Sequence, residues 1–181
     1  MRRSEVKEAQ ARAAALLAQA GIVITEQERS NIEVAGFGLE QLNTQGLELI
    51  TYINTDRYCA KDLVLFPRQT CPEHMHPPVG DDPGKKETFR CRWGKVFLYV
   101  EGERTMSIQA GIPEKSKAYY TVFHEVELNP GEQYTIQPGV KHWFQAGDQG
   151  AIVSEFSSTS RDEFDIFTDP NIERIPVIAE D

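Results

Sequence analysis

Two of the four histidines form His74-Met75-His76. On an extended strand, residues i and i+2 share a face, so both imidazoles converge on one point without special backbone. Eleven residues beyond His76 comes Glu87, opening the strand-like run Glu87-Thr88-Phe89-Arg90-Cys91-Arg92. The residues between, Pro77-Pro78-Val79-Gly80-Asp81-Asp82-Pro83-Gly84, read as a hairpin loop that returns the chain beside the histidines. Far downstream, His142 stands just after the turn Pro138-Gly139. Three neutral nitrogens and one carboxylate make a borderline-hard ligand set, suited to Mn²⁺, Fe²⁺, Co²⁺, Ni²⁺ or Zn²⁺. On an octahedral ion such a set leaves two adjacent positions for water or a chelating substrate. No cysteine falls within this spacing, which argues against a structural zinc. The rival ligand His124, in Val122-Phe123-His124-Glu125-Val126, reads as a surface or hydrogen-bonded histidine.

The elements that must position these groups are short strands. From about Gly46 the apolar period is two: Leu47, Leu49, Thr51 and Ile53, then Leu63 and Leu65. Val96, Leu98 and Val100 alternate with Phe97 and Tyr99, giving two apolar faces, as in a strand lying between layers or in a barrel. Residues 119–128, 133–136, 142–146 and 151–156 are further strand candidates. Turn chemistry separates the runs at Trp93-Gly94-Lys95, Glu101-Gly102-Glu103, Asn129-Pro130-Gly131, Pro138-Gly139 and Gly147-Asp148-Gln149-Gly150. This spacing predicts a β-sandwich or barrel. Ahead of it, Val6, Ala9, Ala13, Leu16, Leu17 and Ala20 recur at helical steps, with Ser4 as N-cap and Gly21 as stop. Thr25 and Glu28 have capping-box spacing for a short second helix. The chain thus reads as one domain: a helical segment over 1–45, a barrel over 46–157 and an extended polar tail over 158–181, with Pro170 and Pro176.

The chain has 181 residues, 40% of them hydrophobic and 26% charged, enough for one packed core. Its 28 acidic against 19 basic residues give a net charge of −9, which disfavours nucleic-acid partners. No apolar run approaches the ~20 residues that span a bilayer, and the N-terminus lacks the pattern of a secretory signal. Cys59, Cys71 and Cys91 have no close pairing and read as reduced thiols of a cytoplasmic protein.

His74-x-His76, Glu87 with Gly94 beyond it, and Pro138-Gly139 with His142 resemble the two metal-binding motifs of the cupin superfamily, with Arg68 where the general pattern has a glycine. A closer resemblance covers most of the chain. Residues 54–59 (NTDRYC), 71–78 (CPEHMHPP), 86–94 (KETFRCRWG), 141–147 (KHWFQAG) and 165–170 (DIFTDP) are similar to the D-lyxose isomerase family of bacterial cupins. The resemblance implies a mainly β chain: a cupin-type antiparallel β-barrel (jelly roll) carrying two short N-terminal helices. It implies a homodimeric aldose–ketose isomerase that uses a divalent metal, Mn²⁺ first, and interconverts D-lyxose and D-xylulose, often also D-mannose and D-fructose.

That chemistry moves hydrogen between C1 and C2 and a proton between O1 and O2. A divalent ion held by His74, His76, Glu87 and His142 would chelate both oxygens and stabilise an enediolate; a metal-assisted hydride shift is the alternative. Glu155, on the apolar run Ile152-Val153-Ser154-Glu155-Phe156, is the first candidate for acid/base work. Lys85, two residues before Glu87, shares its side and is the second. Glu73 faces away from His74 and suits support of a ligand histidine from behind. Phe89, Tyr99 and Trp143 are candidates for the apolar wall of a sugar pocket, and Arg90 for its hydroxyls. A cupin dioxygenase with iron, or a sugar-binding module without catalysis, would use the same ligand set.

Overall fold

The computed structural model describes residues 1–175 and 177–181; Pro176, within the expected tail, lies outside the described residues. Helix α1 (Arg3–Gln19) buries Val6, Ala9, Ala13 and Leu17, one face at helical spacing. It begins two residues earlier than Ser4 as N-cap would set: Arg2 is the N-cap, and its N–H donates to the Glu5 carboxylate at 2.6 Å. Helix α2 (Glu26–Ser30) follows the expected capping box. The Glu28 N–H donates to Thr25 Oγ1 at 3.1 Å, and the Thr25 N–H donates to Glu28 Oε2 at 2.7 Å.

The strands are β1 (Glu33–Ala35), β2 (Leu47–Asn54), β3 (Cys59–Leu65), β4 (Thr70–Met75), β5 (Glu87–Val100), β6 (His124–Leu128), β7 (Gln133–Ile136), β8 (His142–Ser157) and β9 (Ile166–Phe167). Their pairings are antiparallel, and the sheet curls into the expected cupin-type barrel. Strands β5 and β8 are its spine. The first half of β5 pairs with the second half of β8, flanked by β3 and β7. The second half of β5 pairs with the first half of β8, flanked by β4 and β6.

Two segments expected as turns are instead bends inside these long strands. Trp93-Gly94-Lys95 and Gly147-Asp148-Gln149-Gly150 lie opposite one another, and the register shifts beside Gly94. Gly94 has φ +70°, and a Cβ there would stand 2.1 Å from the Gly150 carbonyl oxygen. Turn composition therefore marks where the strand pair folds over, not where it stops. The expected strand over 119–128 forms only from His124, because Glu114–Tyr119 is a 3₁₀ turn.

Alternation sorts the side chains into three clusters. Inside the barrel lie Leu63, Leu65, Phe89, Val96, Leu98 and Phe144. Helix α1 covers one outer face through Val6, Leu17, Val64 and Ile152. The excursion after β5 covers another outer face, packing Ala110 and Tyr120 on Phe97, Tyr99 and Trp143. Arg68, at the position where the cupin pattern has glycine, adopts φ +59°. Its N–H donates to the Gly147 carbonyl at 3.1 Å and its guanidinium to the Gln109 carbonyl at 3.0 Å, interactions that offset left-handed strain of about 1–2 kcal/mol. Among the described residues, no helix is long and apolar enough to cross a membrane.

Candidate metal centre

Strand β4 carries one extra residue relative to β8: Cys71 pairs with Phe144 and His74 with His142. This bulge at Pro72-Glu73 resets the alternation, so Cys71 and His74 both face the interior. Pro72 has no N–H to offer the ladder and is suited to such a position. The imidazoles of His74, His76 and His142 meet at the end of the barrel remote from the bends, and one nitrogen from each lies within 4.8 Å of the others. All three are buried. Glu87, at the head of β5, brings Oε1 to 3.1 Å from His76 Nε2 and 3.0 Å from His142 Nε2. Because β4 lies against β8 and β9, the residues between β4 and β5 do not form a paired hairpin as expected. They cross from one side of the barrel to the other.

Each ring is held by its Nδ1. His74 donates to the Pro72 carbonyl at 2.8 Å, His142 to the Val140 carbonyl at 3.0 Å, and His76 to Asp165 Oδ1 at 2.5 Å. For His74 and His142 this leaves Nε2 with its lone pair. His142 Nε2 is buried without a hydrogen bond, yet lies against the Glu87 carboxylate. Two electron-rich atoms at that separation repel unless a cation lies between them. The donor set therefore fits a metal ion, and the three buried histidines are able to hold one.

Electrostatics follow from burial and neighbours. Burial and the other two imidazoles hold His74 well below its ordinary value, so it is neutral, as a ligand must be. Burial opposes charge on His76, but Glu87 and Asp165 outweigh it and carry His76 up to about 9 in the metal-free protein. Burial likewise works against ionised Glu87, and Lys85 and His76 overrule it, holding the carboxyl well below the usual range.

Lys85 Nζ lies 2.8 Å from Glu87 Oε2 and 3.1 Å from Glu155 Oε1. Both Lys85 and Glu155 are buried and line the same cavity as His74 and His76, which encloses about 380 Å³ of empty space including its open mouth. Burial disfavours the ammonium, but Glu155, Glu87 and Asp162 together raise Lys85 well above its ordinary value, so it is a fixed cation. Phe89 lines the cavity wall.

Three residues expected at the pocket are elsewhere, for one reason. His142 and Phe144 point inward, so Trp143 points out; Leu98 and Val100 point inward, so Tyr99 points out. Tyr99 and Trp143 stack on each other with ring centroids 3.9 Å apart, sealed beneath the excursion after β5. Arg90 is the outward neighbour of Phe89 and donates to Gln133 at 3.0 Å. Glu73 also faces outward but supports no ligand imidazole. It accepts from the Thr121 and Val122 N–H groups and from Thr168 Oγ1, pinning two segments together behind β4. His124 donates from Nδ1 to the Glu103 carbonyl at 3.0 Å, away from the centre.

The tail supplies what spacing did not. Asp162, Asp165, Phe167 and Arg174 line the cavity, as does Lys61 of β3. Asp162 Oδ2 is 2.5 Å from Lys61 and 3.2 Å from Arg174, and its other oxygen is 3.5 Å from Lys85. The one sequence signal was the run 165–170, whose resemblance to the family covers Asp165 and Phe167.

Comparison with known proteins gives four findings. The model of the D-lyxose isomerase family matches residues 4–181. A D-lyxose ketol-isomerase of Cohnella laeviribosi is 70% identical over 181 residues, covering 100% of each chain. A D-lyxose/D-mannose isomerase of Thermosediminibacter oceani is 63% identical over 99% of each. Among solved structures, the L-ribose isomerase of Cellulomonas parahominis superposes with TM-score 0.81 over 99% of this chain and 98% of that one. At 15% identity it bears on the fold alone.

Proposed function

The chain belongs to the D-lyxose isomerase family and is an isomerase; on that premise we propose that it interconverts D-lyxose and D-xylulose, with D-mannose and D-fructose as a second pair. The relatives' names support the substrates. The observation that carries the mechanism is the convergence of three imidazoles and Glu87 beside the Lys85–Glu155 pair. In this reading His74, His76, His142 and Glu87 hold a divalent cation, Mn²⁺ first. When bound, the ion supplies a Lewis acid that polarises the sugar's C1 and C2 oxygens.

The rest falls to the chain's own groups. Glu155 takes the proton from C2 of the aldose and delivers it to C1 through an enediol, while the hydroxyl proton passes from O2 to O1. Lys85 donates a hydrogen bond to the oxygen on which charge builds, and its contact with Glu155 aims that carboxylate. Phe89 and Phe167 exclude water from the reacting carbons. The proposal includes a cytoplasmic homodimer; the three free cysteines support the compartment. Light scattering should then report twice the 20.5 kDa chain mass.

The test is a panel of pentoses and hexoses offered to the Mn²⁺-loaded protein without oxygen. Conversion of D-lyxose to D-xylulose, and more slowly of D-mannose to D-fructose, is the expected result. No pentose turnover, or turnover only with oxygen, overturns the proposal; the latter outcome points to a dioxygenase.

A further inference from the structure

We propose that Asp165 is a positioning residue of the centre: it fixes the His76 ring so that Nε2 faces the cation shared with His74, His142 and Glu87. This rests on the metal reading above. The three imidazoles are oriented in two different ways. His74 and His142 each donate Nδ1–H to a carbonyl two residues upstream on their own segment, so their aim is set by local backbone. His76 donates instead to a carboxylate 89 positions away, at 2.5 Å.

The position of Asp165 is itself determined by the tail. Its neighbours Ile166 and Phe167 form β9, which pairs with Met75 and His74. The Thr168 N–H donates to the Glu73 carbonyl at 3.0 Å and Thr168 Oγ1 to the Glu73 carboxylate at 2.6 Å. On the other side, Arg161 pairs with Asp82 at 2.5 Å, tying the tail to the crossing segment. The Asp165 side chain is only 7% exposed, so water does not substitute for it. The tail is thus a built part of the metal centre, and its seating sets the third imidazole.

The experiment uses the full chain with Asp165→Ala, Asp165→Asn and, as control, Asp148→Ala at a side chain 92% exposed. Mn²⁺ affinity is measured without substrate, by electron paramagnetic resonance of the free ion. Alanine should weaken binding roughly 10–100-fold, and asparagine, which still accepts from Nδ1–H, should recover most of the loss. Asp148→Ala should bind as the parent does. With diamagnetic Zn²⁺ bound, the His76 Nδ1 proton should give a far-downfield, slowly exchanging signal in the parent and in Asp165→Asn, absent in Asp165→Ala. Should alanine fail to fold, Asp165→Leu, of similar size and without an acceptor, carries the same expectation. A folded variant lacking the acceptor that binds Mn²⁺ within twofold of a normally binding parent overturns the inference alone. So does equal loss in the asparagine and alanine variants with the His76 signal intact. A parent that binds no Mn²⁺ overturns the metal reading with it.

Discussion

At the bends of the barrel, β5 and β8 face each other through Val96, Ala146 and Ala151; at the far ends the same strands present Glu87, His142 and Glu155. Both ends obey one alternation and are equally buried, but one is apolar and the other holds charges that burial alone would neutralise. The apolar end needs only volume and shape, since each buried side chain there contributes about 1.5–3 kcal/mol. The charged end persists because its groups are paired: Glu87 with Lys85, Asp162 with Lys61 and Arg174, His76 with Asp165. The lesson is a division of labour along two continuous strands. Stability resides at the closed end, and chemistry at the open one.

The sharpest way to break this contrast is His76→Ala. Metal retention and turnover should both collapse, activity by roughly 10³-fold or more, since metal polarisation is worth several kcal/mol. Circular dichroism should show the barrel still folded. A variant with full activity would remove the metal from the account. Next, Glu155→Gln should keep Mn²⁺ affinity and lower kcat roughly 10²–10⁴-fold; a rate near that of the parent would withdraw Glu155 as the proton carrier.

At the closed end, Leu65→Ala, opposite Ala151, should destabilise by about 2–5 kcal/mol in urea unfolding while leaving Mn²⁺ affinity and KM unchanged. If metal affinity falls with stability, the two ends are not separable.

A smaller effect concerns Glu48, buried beneath α1 outside the barrel interior, with one oxygen unpartnered. Burial raises its carboxyl to about 8, against the partial relief of Gln69 and Arg12. The folded state keeps a proton that the unfolded chain releases from about 4.5 upward. Its contribution to stability is therefore full below that pH and is lost as pH rises toward 8, at up to about 1.4 kcal/mol per unit. Glu48→Gln should be more stable than the parent at pH 8 and close to it at pH 5. Parallel stability curves would refute the assignment.

Much of this architecture was legible because its rules are local. The period-two runs, the α2 capping box and His-x-His each need only near neighbours in sequence. The same alternation that puts His142 inside puts Trp143 outside, so that placement was legible too, although an aromatic beside a metal ligand suggests a pocket wall. What spacing could not reveal depends on contacts between distant segments. The bulge at Pro72 that turns His74 and Cys71 to one side is visible only against β8. Gly94 and Gly150 read as turn residues until the strands carrying them are paired. Asp162, Asp165 and Arg174 lie in a polar stretch without period, and their partners are scattered from Glu33 to Lys85.

The central claim is that three imidazoles and Glu87 hold a cation on which the sugar's two oxygens depend. It is tested most directly by D-lyxose turnover of the unaltered protein after chelation and dialysis, and again after adding Mn²⁺. The account predicts loss of turnover on chelation and recovery with about one equivalent of the ion per chain. Undiminished turnover by protein verified to be free of metal would contradict it.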